Sequence, residues 1–183
     1  MYLFLKRVFD FFLALGLLLP AALPLLLVYL FVGFDTKSNG LFFQTRVGKN
    51  GTLFTIVKFK TLRSDGSVSF LGRFLRNSKL DELPQLWNIL KGDMSFVGPR
   101  PDIPGYYDQL QGEARKILEL KPGLTCEASI KYANEEAILA QQENPLHYND
   151  TVIFPDKVRM NLHYYYNRSF LGDLTILWRT VFR

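Results

Sequence analysis

The chain has 183 residues, of which 48% are hydrophobic and 21% are charged, and its net charge is +5. This length suits one domain with its own core plus a short appendage. The single cysteine, Cys126, excludes an internal disulfide and a cysteine-cluster metal site, so a reducing cytoplasmic environment suits the chain.

The N-terminal segment contains 24 consecutive uncharged residues, Phe11 to Phe34, and most of them are apolar. About 20 apolar residues are enough to cross a bilayer. The run is longer than the apolar part of a secretory signal peptide, about 7 to 15 residues, and no small-residue cleavage site follows it. A membrane-embedded segment is therefore predicted, and a cleavable signal peptide is disfavoured.

Two features of this segment favour a re-entrant hairpin over an ordinary spanning helix. Pro20 and Pro24 lie at its centre, and proline lacks the amide hydrogen that a helix interior needs. Basic residues such as Lys6 and Lys37 flank the run on both sides, and positive charge marks the cytoplasmic side of a membrane. Each arm of a bent helix would cover about 16 Å, half of the hydrocarbon thickness. Residues 1–36 are thus predicted to enter and leave one leaflet, although spanning helices also contain prolines.

Residues 37–183 are predicted to form one compact domain on the cytoplasmic face of the membrane. Two strand-like runs, Leu41 to Val47 and Thr52 to Leu62, flank Asn50-Gly51, which is a strong hairpin signal. Lys58 lies on the second run, where its side chain suits either a bound phosphate or a solvated surface.

Three further helices are predicted, over Ser69 to Arg76, Ile103 to Leu120 and Phe170 to Arg183. The first and third place apolar stripes beside basic residues, a pattern typical of helices in a membrane interface. Packing on the core explains the third equally well. The predicted fold class is therefore α+β and mainly helical, with a re-entrant membrane helix, a small β-hairpin and amphipathic interfacial helices around the domain.

The positive charge is concentrated between residues 46 and 79. This window holds eight basic residues and one acidic residue, Asp65, so its net charge is +7 and that of the remainder is −2. Nucleic acid, a phospholipid surface and a nucleotide-sugar diphosphate are the anionic partners that such a window suits. A nucleic-acid binder would be a soluble protein with aromatic residues for base stacking among its basic residues. The apolar N-terminal run therefore argues against nucleic acid.

Two adjacent carboxylates, Asp81 and Glu82, precede Pro84, which is comfortable only in the first turn of a helix. A helix that begins close to Asp81 would stabilise their ionised forms, and the cations of Arg76 and Lys79 lie just upstream. Such a pair is most often a helix cap. It also suits Mg²⁺, which takes one or two carboxylates plus substrate phosphates, and a carboxylate can act as a nucleophile and form an acyl phosphate.

The motif Gly98-Pro99-Arg100-Pro101 predicts a rigid loop downstream of these carboxylates. Such a loop fixes one guanidinium group, and guanidinium binds phosphate in a bidentate manner. Taken alone, a turn of this kind is more often structural.

Three ordered motifs resemble one known family. They are Lys58-Phe59-Lys60-Thr61-Leu62-Arg63, Leu80-Asp81-Glu82-Leu83-Pro84-Gln85-Leu86-Trp87-Asn88, and Lys91-Gly92-Asp93-Met94-Ser95-Phe96-Val97-Gly98-Pro99-Arg100-Pro101. With Lys121-Pro122-Gly123-Leu124-Thr125 and the N-terminal segment, they resemble the bacterial sugar transferases called monotopic phosphoglycosyl transferases. The likeness covers nearly the whole chain.

The resemblance implies transfer of a sugar-1-phosphate from a UDP-sugar to polyprenyl (undecaprenyl) phosphate, with release of UMP. It implies that Asp81 attacks the sugar-bearing phosphate and carries a covalent phosphosugar, that Glu82 completes an Asp-Glu dyad, and that Asp81 binds Mg²⁺. Lys58, Arg76 and Arg100 are implied to bind the substrate.

The same resemblance implies a place in the bacterial inner membrane, contact with phospholipid, and the first membrane step of a glycan pathway. A non-catalytic membrane scaffold is the rival interpretation, and it leaves the Asp81 motif without an explanation. The sequence leaves open which sugar is transferred and whether the chain forms a homodimer.

The chain departs from the family pattern in three places. The segment from Cys126 to Tyr132 replaces a glycine-containing stretch, Asn161 stands where relatives often carry aspartate, and Leu19-Pro20 replaces the usual Ser-Pro. The first two departures caution against transferring the identity of the donor sugar. Asn161 also removes a carboxylate that could have paired with Arg100.

Overall fold

The computed structural model describes residues 1–182 and consists mainly of helices, with two small sheets. The long helix α1 covers Tyr2–Thr36. The strands are β1 (Leu41–Val47), β2 (Leu53–Phe59), β3 (Ser95–Val97) and β4 (Gly123–Thr125). The other α-helices are α2 (Phe70–Asn77), α3 (Leu86–Lys91), α4 (Glu127–Lys131), α5 (Glu135–Ala140), α6 (Pro145–Tyr148), α7 (Phe154–Asn167) and α8 (Phe170–Val181). The prediction of a mainly helical protein with a small β-hairpin is confirmed.

The β-hairpin forms where the sequence predicts it. Strands β1 and β2 pair antiparallel, with Leu41 opposite Phe59 and Val47 opposite Leu53. The connection is a single 3₁₀ turn, Lys49–Gly51, in which Asn50 and Gly51 both have positive φ. Asparagine and glycine are the residues that tolerate this left-handed backbone best. The second strand ends three residues earlier than predicted.

The second sheet brings two distant chain segments to one end. Strands β3 and β4 run parallel, with Ser95 opposite Gly123 and Val97 opposite Thr125. A Cβ atom on Gly123 would overlap the backbone of Gly98, so β4 and the residue that follows β3 approach more closely than a side chain allows. Because the strands are parallel, the loop after β3 and the segment after β4 begin at the same edge.

The prediction of a single helix from Ile103 to Leu120 is wrong. The region contains two separate 3₁₀ segments, Tyr107–Gln109 and Gly112–Glu119. Gly105 and Gly112 have φ values of +108° and +57°, a left-handed backbone that interrupts an α-helix.

Three apolar clusters hold the domain together around the β-hairpin. The largest contains Ala14, Ile56, Leu86, Ile89, Met94, Phe96, Val97 and Ile176. The second joins Val47, Tyr107, Ile117 and Leu118, and the third joins Val32, Phe59 and Leu75. Since each cluster includes a residue of β1 or β2, the hairpin links the membrane-type helix to the rest of the chain.

Helix α1 is long and apolar enough to cross a membrane, and only 6% of its most apolar window is buried. The helix continues through Pro20 and Pro24 without a described break, so the re-entrant hairpin remains a prediction. Both of its ends contact the same domain. Arg7 donates to the carbonyls of α3, and at the other end Asp35 accepts hydrogen bonds from Arg63 and Ser69.

A buried carboxylate of α8 binds residues in the first two turns of α1. Asp173 of α8 is 2% exposed and accepts hydrogen bonds from Lys6 Nζ (2.6 Å), Tyr2 Oη (2.8 Å) and Tyr164 Oη (2.6 Å). Three donors satisfy this carboxylate, which therefore joins α1, α7 and α8 in one polar contact. Breaking one buried partner leaves a charge without compensation.

We expect Lys6→Met to destabilise the folded protein by about 3 kcal/mol, because the carboxylate of Asp173 stays buried without its cation. Denaturant or thermal unfolding of the detergent-solubilised protein measures the change. Arg159→Gln is the matched control, because its partner Asp156 lies in a surface pair with an exposed arginine, and such a pair is worth about 0 to 1 kcal/mol. Equal stability of the two variants would contradict the prediction.

Candidate active site

The backbone around Asp81 turns sharply between two helices. Helix α2 ends at Asn77, Lys79 adopts a left-handed conformation with φ of +58°, and a 3₁₀ helix covers Leu80–Gln85 before α3 begins. The predicted start of a helix close to Asp81 is confirmed, in 3₁₀ rather than α form. A lysine pays about 1 kcal/mol or more for this conformation, and such strained residues cluster at functional sites.

Glu82 joins three chain segments through ion pairs. Its Oε1 accepts from Lys58 Nζ of β2 at 2.9 Å and from Arg100 Nη2 at 2.5 Å, and its Oε2 accepts from Arg100 Nη1 at 3.3 Å. The residue is only 8% exposed. Burial opposes the charged form, but Arg100 and Lys58 outweigh it and lower the pKa of Glu82 to about 2. Glu82 is therefore an ionised anchor for two cations.

Asp81 has the opposite character, although it is adjacent in sequence. Its Oδ1 atom is buried and has no hydrogen-bond partner among residues 1–182. Burial, followed by the charge of Glu82, raises the pKa of the Asp81 carboxyl, and the charges of Lys58, Lys79 and Arg76 oppose the rise. A carboxylate with a free oxygen and increased basicity can attack an electrophile or bind a cation.

The cations around Asp81 form a site for an anion. Lys58, Arg76 and Lys79 are all close enough for their charges to act on Asp81. Arg76 donates from Nε to Thr61 Oγ1 at 3.1 Å, which leaves its other guanidinium hydrogens available. Lys79 makes no ion pair with any described residue. The structure thus gathers Lys58, Arg76, Asp81, Glu82 and Arg100, the five residues predicted from the sequence, in one area.

Sequence reasoning did not select Lys79 or Arg46 as site residues. Arg46 of β1 donates from Nη1 to the carbonyl of Pro101 at 3.4 Å and lies 3.8 Å from the carboxylate of Asp102. Val47 donates its amide to the carbonyl of Asp102 at 2.9 Å. Strand β1 therefore supports the loop that carries Arg100. The basic window of the sequence contains both residues, but nothing in it separates them from its other cations.

The carboxylates of this site suit a metal ion that takes its other ligands from the substrate. No group of three His, Cys, Asp or Glu side chains that could hold a metal occurs in the part of the chain that the structure describes. Glu82 is occupied by its cations, whereas the unbonded Oδ1 of Asp81 is free. Mg²⁺ commonly uses one or two carboxylates together with phosphate oxygens and water. A magnesium ion would therefore depend on Asp81.

Two of the three departures from the family pattern, Cys126 and Asn161, lie in the domain, and Cys126 is close enough to Arg100 to act on its charge. Cys126 follows β4 and caps α4, where its Sγ accepts from the amide of Ser129 at 3.3 Å. Asn161 is buried and donates from Nδ2 to Tyr107 Oη at 2.8 Å. Arg100 has Glu82 as its acidic partner, so the ion pair expected to be missing at Asn161 is supplied elsewhere.

The comparison with known proteins identifies the family. A family model described as bacterial sugar transferase matches residues 1–183. The chain belongs to the bacterial sugar transferase family. The prediction of a phosphoglycosyl transferase, based on the three motifs, is confirmed at the level of this family.

Relatives with different donor sugars resemble this bacterial sugar transferase. A Bacillus subtilis (strain 168) protein, named provisionally as an undecaprenyl-phosphate N-acetylgalactosaminyl 1-phosphate transferase, is 37% identical over 61% of this chain and 70% of its own. The UDP-glucose:undecaprenyl-phosphate glucose-1-phosphate transferase of Caulobacter vibrioides is 34% identical over 96% of this chain and 68% of its own. The undecaprenyl-phosphate galactose phosphotransferase of Salmonella typhimurium is 30% identical over 97% of this chain, which spans 40% of that relative.

The low pKa of Glu82 predicts that the folded protein loses stability in acid. Because its pKa falls from the ordinary 4.5 to about 2, the stabilisation is present above about pH 4.5 and is lost as the pH falls toward 2. A shift of this size corresponds to about 3 kcal/mol. We expect the Glu82→Gln variant to lack this acid-dependent loss, as measured by unfolding between pH 5 and pH 2.

The matched control is Glu136→Gln, which removes an exposed carboxylate on α5. This control is expected to lose stability with acid as the unsubstituted protein does. If Glu82→Gln followed the same curve as the control, Glu82 would not be held ionised by Lys58 and Arg100.

Proposed function

We propose that the protein transfers a sugar-1-phosphate from a UDP-sugar to undecaprenyl phosphate, through a covalent intermediate on Asp81. The observation that carries the proposal is the contrast between two adjacent carboxylates. Glu82 forms ion pairs with Lys58 and Arg100. Asp81, in contrast, has a buried oxygen without a hydrogen-bond partner and lies among cations. The names of the relatives support the donor and acceptor classes.

The first step is attack by Asp81 on the phosphorus that bears the sugar. A bond forms between a carboxylate oxygen and this phosphorus, and the bond from the phosphorus to the bridging oxygen of the diphosphate breaks. UMP leaves with the electron pair, and the sugar phosphate remains on the enzyme as an acyl phosphate. A raised pKa makes the ionised carboxylate a better nucleophile.

The second step returns the enzyme to its starting state. A phosphate oxygen of undecaprenyl phosphate attacks the same phosphorus, and the bond to Asp81 breaks. The products are the free carboxylate and a lipid diphosphate that carries the sugar. Two sequential displacements of this kind give ping-pong kinetics.

The cations act by holding charge in place. Lys58 and Arg100 are held by Glu82, so they do not need to reorganise when a phosphate group develops negative charge. Arg76 and Lys79 lie on the chain segment that leads into Asp81, where they neutralise a diphosphate. Since the pKa of Glu82 is about 2, this residue stays ionised during turnover and suits the role of a positioning residue better than that of a general acid or nucleophile.

Magnesium is part of the proposal through Asp81. When bound, the ion would neutralise the diphosphate and stabilise the charge on the leaving UMP. Oδ1 of Asp81 would be the protein's ligand to the ion, and the substrate and water would supply the other ligands.

We expect Asp81→Asn to lower UMP release by at least about 10³-fold, because the amide cannot form the acyl phosphate. The measurement uses UDP-glucose, UDP-galactose and UDP-N-acetylgalactosamine, each with undecaprenyl phosphate. Without acceptor, the unsubstituted enzyme should retain label from the correct radiolabelled donor, and Asp81→Asn should retain none.

Asp65→Asn is the matched control, since Asp65 is fully exposed and lies in the same basic window. It should retain the label as the unsubstituted enzyme does. Full labelling of the Asp81→Asn protein would rule out attachment to Asp81.

The proposal places α1 in the inner membrane with both ends on the cytoplasmic side. Contacts at each end support this placement, because Arg7 and Asp35 both bind the same domain. A helix that crossed about 30 Å of hydrocarbon would carry one end away from it. Apolar residues outside α1 also suit contact with lipid: Phe70 of α2 is 89% exposed, and Trp178 of α8 is 64% exposed.

Cysteine labelling tests this placement. In a Cys126→Ser background, Leu3→Cys and Lys37→Cys report the two ends of α1, and Lys131→Cys reports the side of the domain. We expect an impermeant maleimide to label all three in inverted membrane vesicles and none in intact spheroplasts. Labelling of Leu3→Cys in spheroplasts would show instead that α1 crosses the bilayer.

A further inference from the structure

A second group of cations surrounds Gly92, at the end of α3. Gly92 has φ of +97°, and a Cβ atom placed on it would lie 3.2 Å from Arg7 Nη2 and 3.5 Å from Lys121 Nζ. The two positive groups therefore border the same small space. It is open because glycine occupies this position, and only glycine adopts this backbone readily.

The positive charge of this group is only partly compensated. Arg7 donates to the carbonyls of Ile89 and Leu90, whereas Lys121 makes no hydrogen bond or ion pair with any residue between 1 and 182. Burial and then the charge of Arg7 lower the pKa of Lys121, Lys49 adds to the lowering, and the carboxylates of Asp10 and Asp93 oppose it. Holding like charges together in this way is unfavourable unless an anion joins them.

Two carboxylates lie nearby, and each already has a neighbour. Asp10 accepts from the amide of Phe96 at 3.1 Å, and Asp93 lies 3.1 Å from Lys91 Nζ. Neither carboxylate forms an ion pair with Arg7 or Lys121 among residues 1–182, so both cations are available to an anionic ligand.

The position of the group identifies the kind of anion. Arg7 precedes the apolar run of α1 by four residues, about 6 Å along a helix, which is the depth of lipid headgroups. The catalytic site is separate, because the two sites lie at opposite ends of α3. Asp81 is in the 3₁₀ helix that precedes α3, whereas Arg7 binds the carbonyls of Ile89 and Leu90 near its end.

We propose that Arg7 and Lys121 form a second anion site, which binds the phosphate group of a membrane lipid. The inference rests on the proposed placement of α1 in the membrane. Arginine supplies a planar pair of donors and lysine a compact charge, the combination that suits a phosphate held from two sides. The phosphate can belong to an anionic phospholipid or to undecaprenyl phosphate waiting away from the nucleophile.

Retention of radiolabelled lipid by the purified, detergent-solubilised protein tests the site. One tracer is phosphatidylglycerol and the other is undecaprenyl phosphate, each measured against excess unlabelled phosphatidylcholine. We expect Lys121→Gln to reduce retention of at least one tracer by about fivefold, the effect of one lysine at an anionic membrane surface. Lys121→Arg should restore it. The tracer that responds identifies the source of the phosphate.

Arg159→Gln is the matched control, because it removes one positive charge from an exposed side chain of α7. It should retain both tracers as the unsubstituted protein does. Unchanged retention in Lys121→Gln, or an equal loss in Arg159→Gln, would overturn the proposal. Thermal unfolding checks the variants, and Lys121→Gln should be no less stable in lipid-free detergent, because it relieves repulsion from Arg7.

A failure of this inference is distinguishable from a failure of the membrane placement. The unsubstituted protein is expected to float with neutral phosphatidylcholine vesicles through α1 alone. Flotation without tracer loss in Lys121→Gln would refute the lipid-phosphate site and leave the membrane placement intact. Absence of flotation would refute the placement of α1.

Discussion

The ion pairs of Glu82 with Lys58 and Arg100 are the constraint on which the site depends. They connect a β-strand, a 3₁₀ helix and a loop that are separated by 24 and 18 residues in the chain. Removal of one partner from a buried ion pair commonly costs 3 to 5 kcal/mol. The arrangement therefore requires the hairpin, the turn at Lys79 and the parallel strands to be in place together, and it fixes two cations beside Asp81.

The division of labour between the two carboxylates follows from this constraint. Glu82 uses its oxygens on cations, and its pKa falls, while Asp81 is buried beside that negative charge, and its pKa rises. Two groups of the same chemistry thus acquire different environments within one turn. Pairs whose pKa values are pushed apart in this way are typical of acid–base and nucleophilic sites.

Local chemistry predicts part of this structure. The Asn50-Gly51 turn and its strands follow from backbone preferences, and Pro84 indicates the helix start beside Asp81. The helix prediction fails over residues 103–120, because the spacing of apolar residues does not show that the glycines at 105 and 112 adopt positive φ. The sequence also places Asp81 and Glu82 side by side without showing which is free, since that depends on Lys58 and Arg100 from distant segments. The unusual backbone of Lys79 has no signal in its residue type.

The close approach of Gly98 and Gly123 has a consequence for variants of this site. A Cβ atom on Gly98 would overlap the backbone of Lys121, and one on Gly123 would overlap the backbone of Gly98. Backbone rather than side chains therefore sets the direction in which the chain leaves β3 toward Arg100. A larger residue at either position would displace Arg100 from Glu82 without replacing any charged side chain.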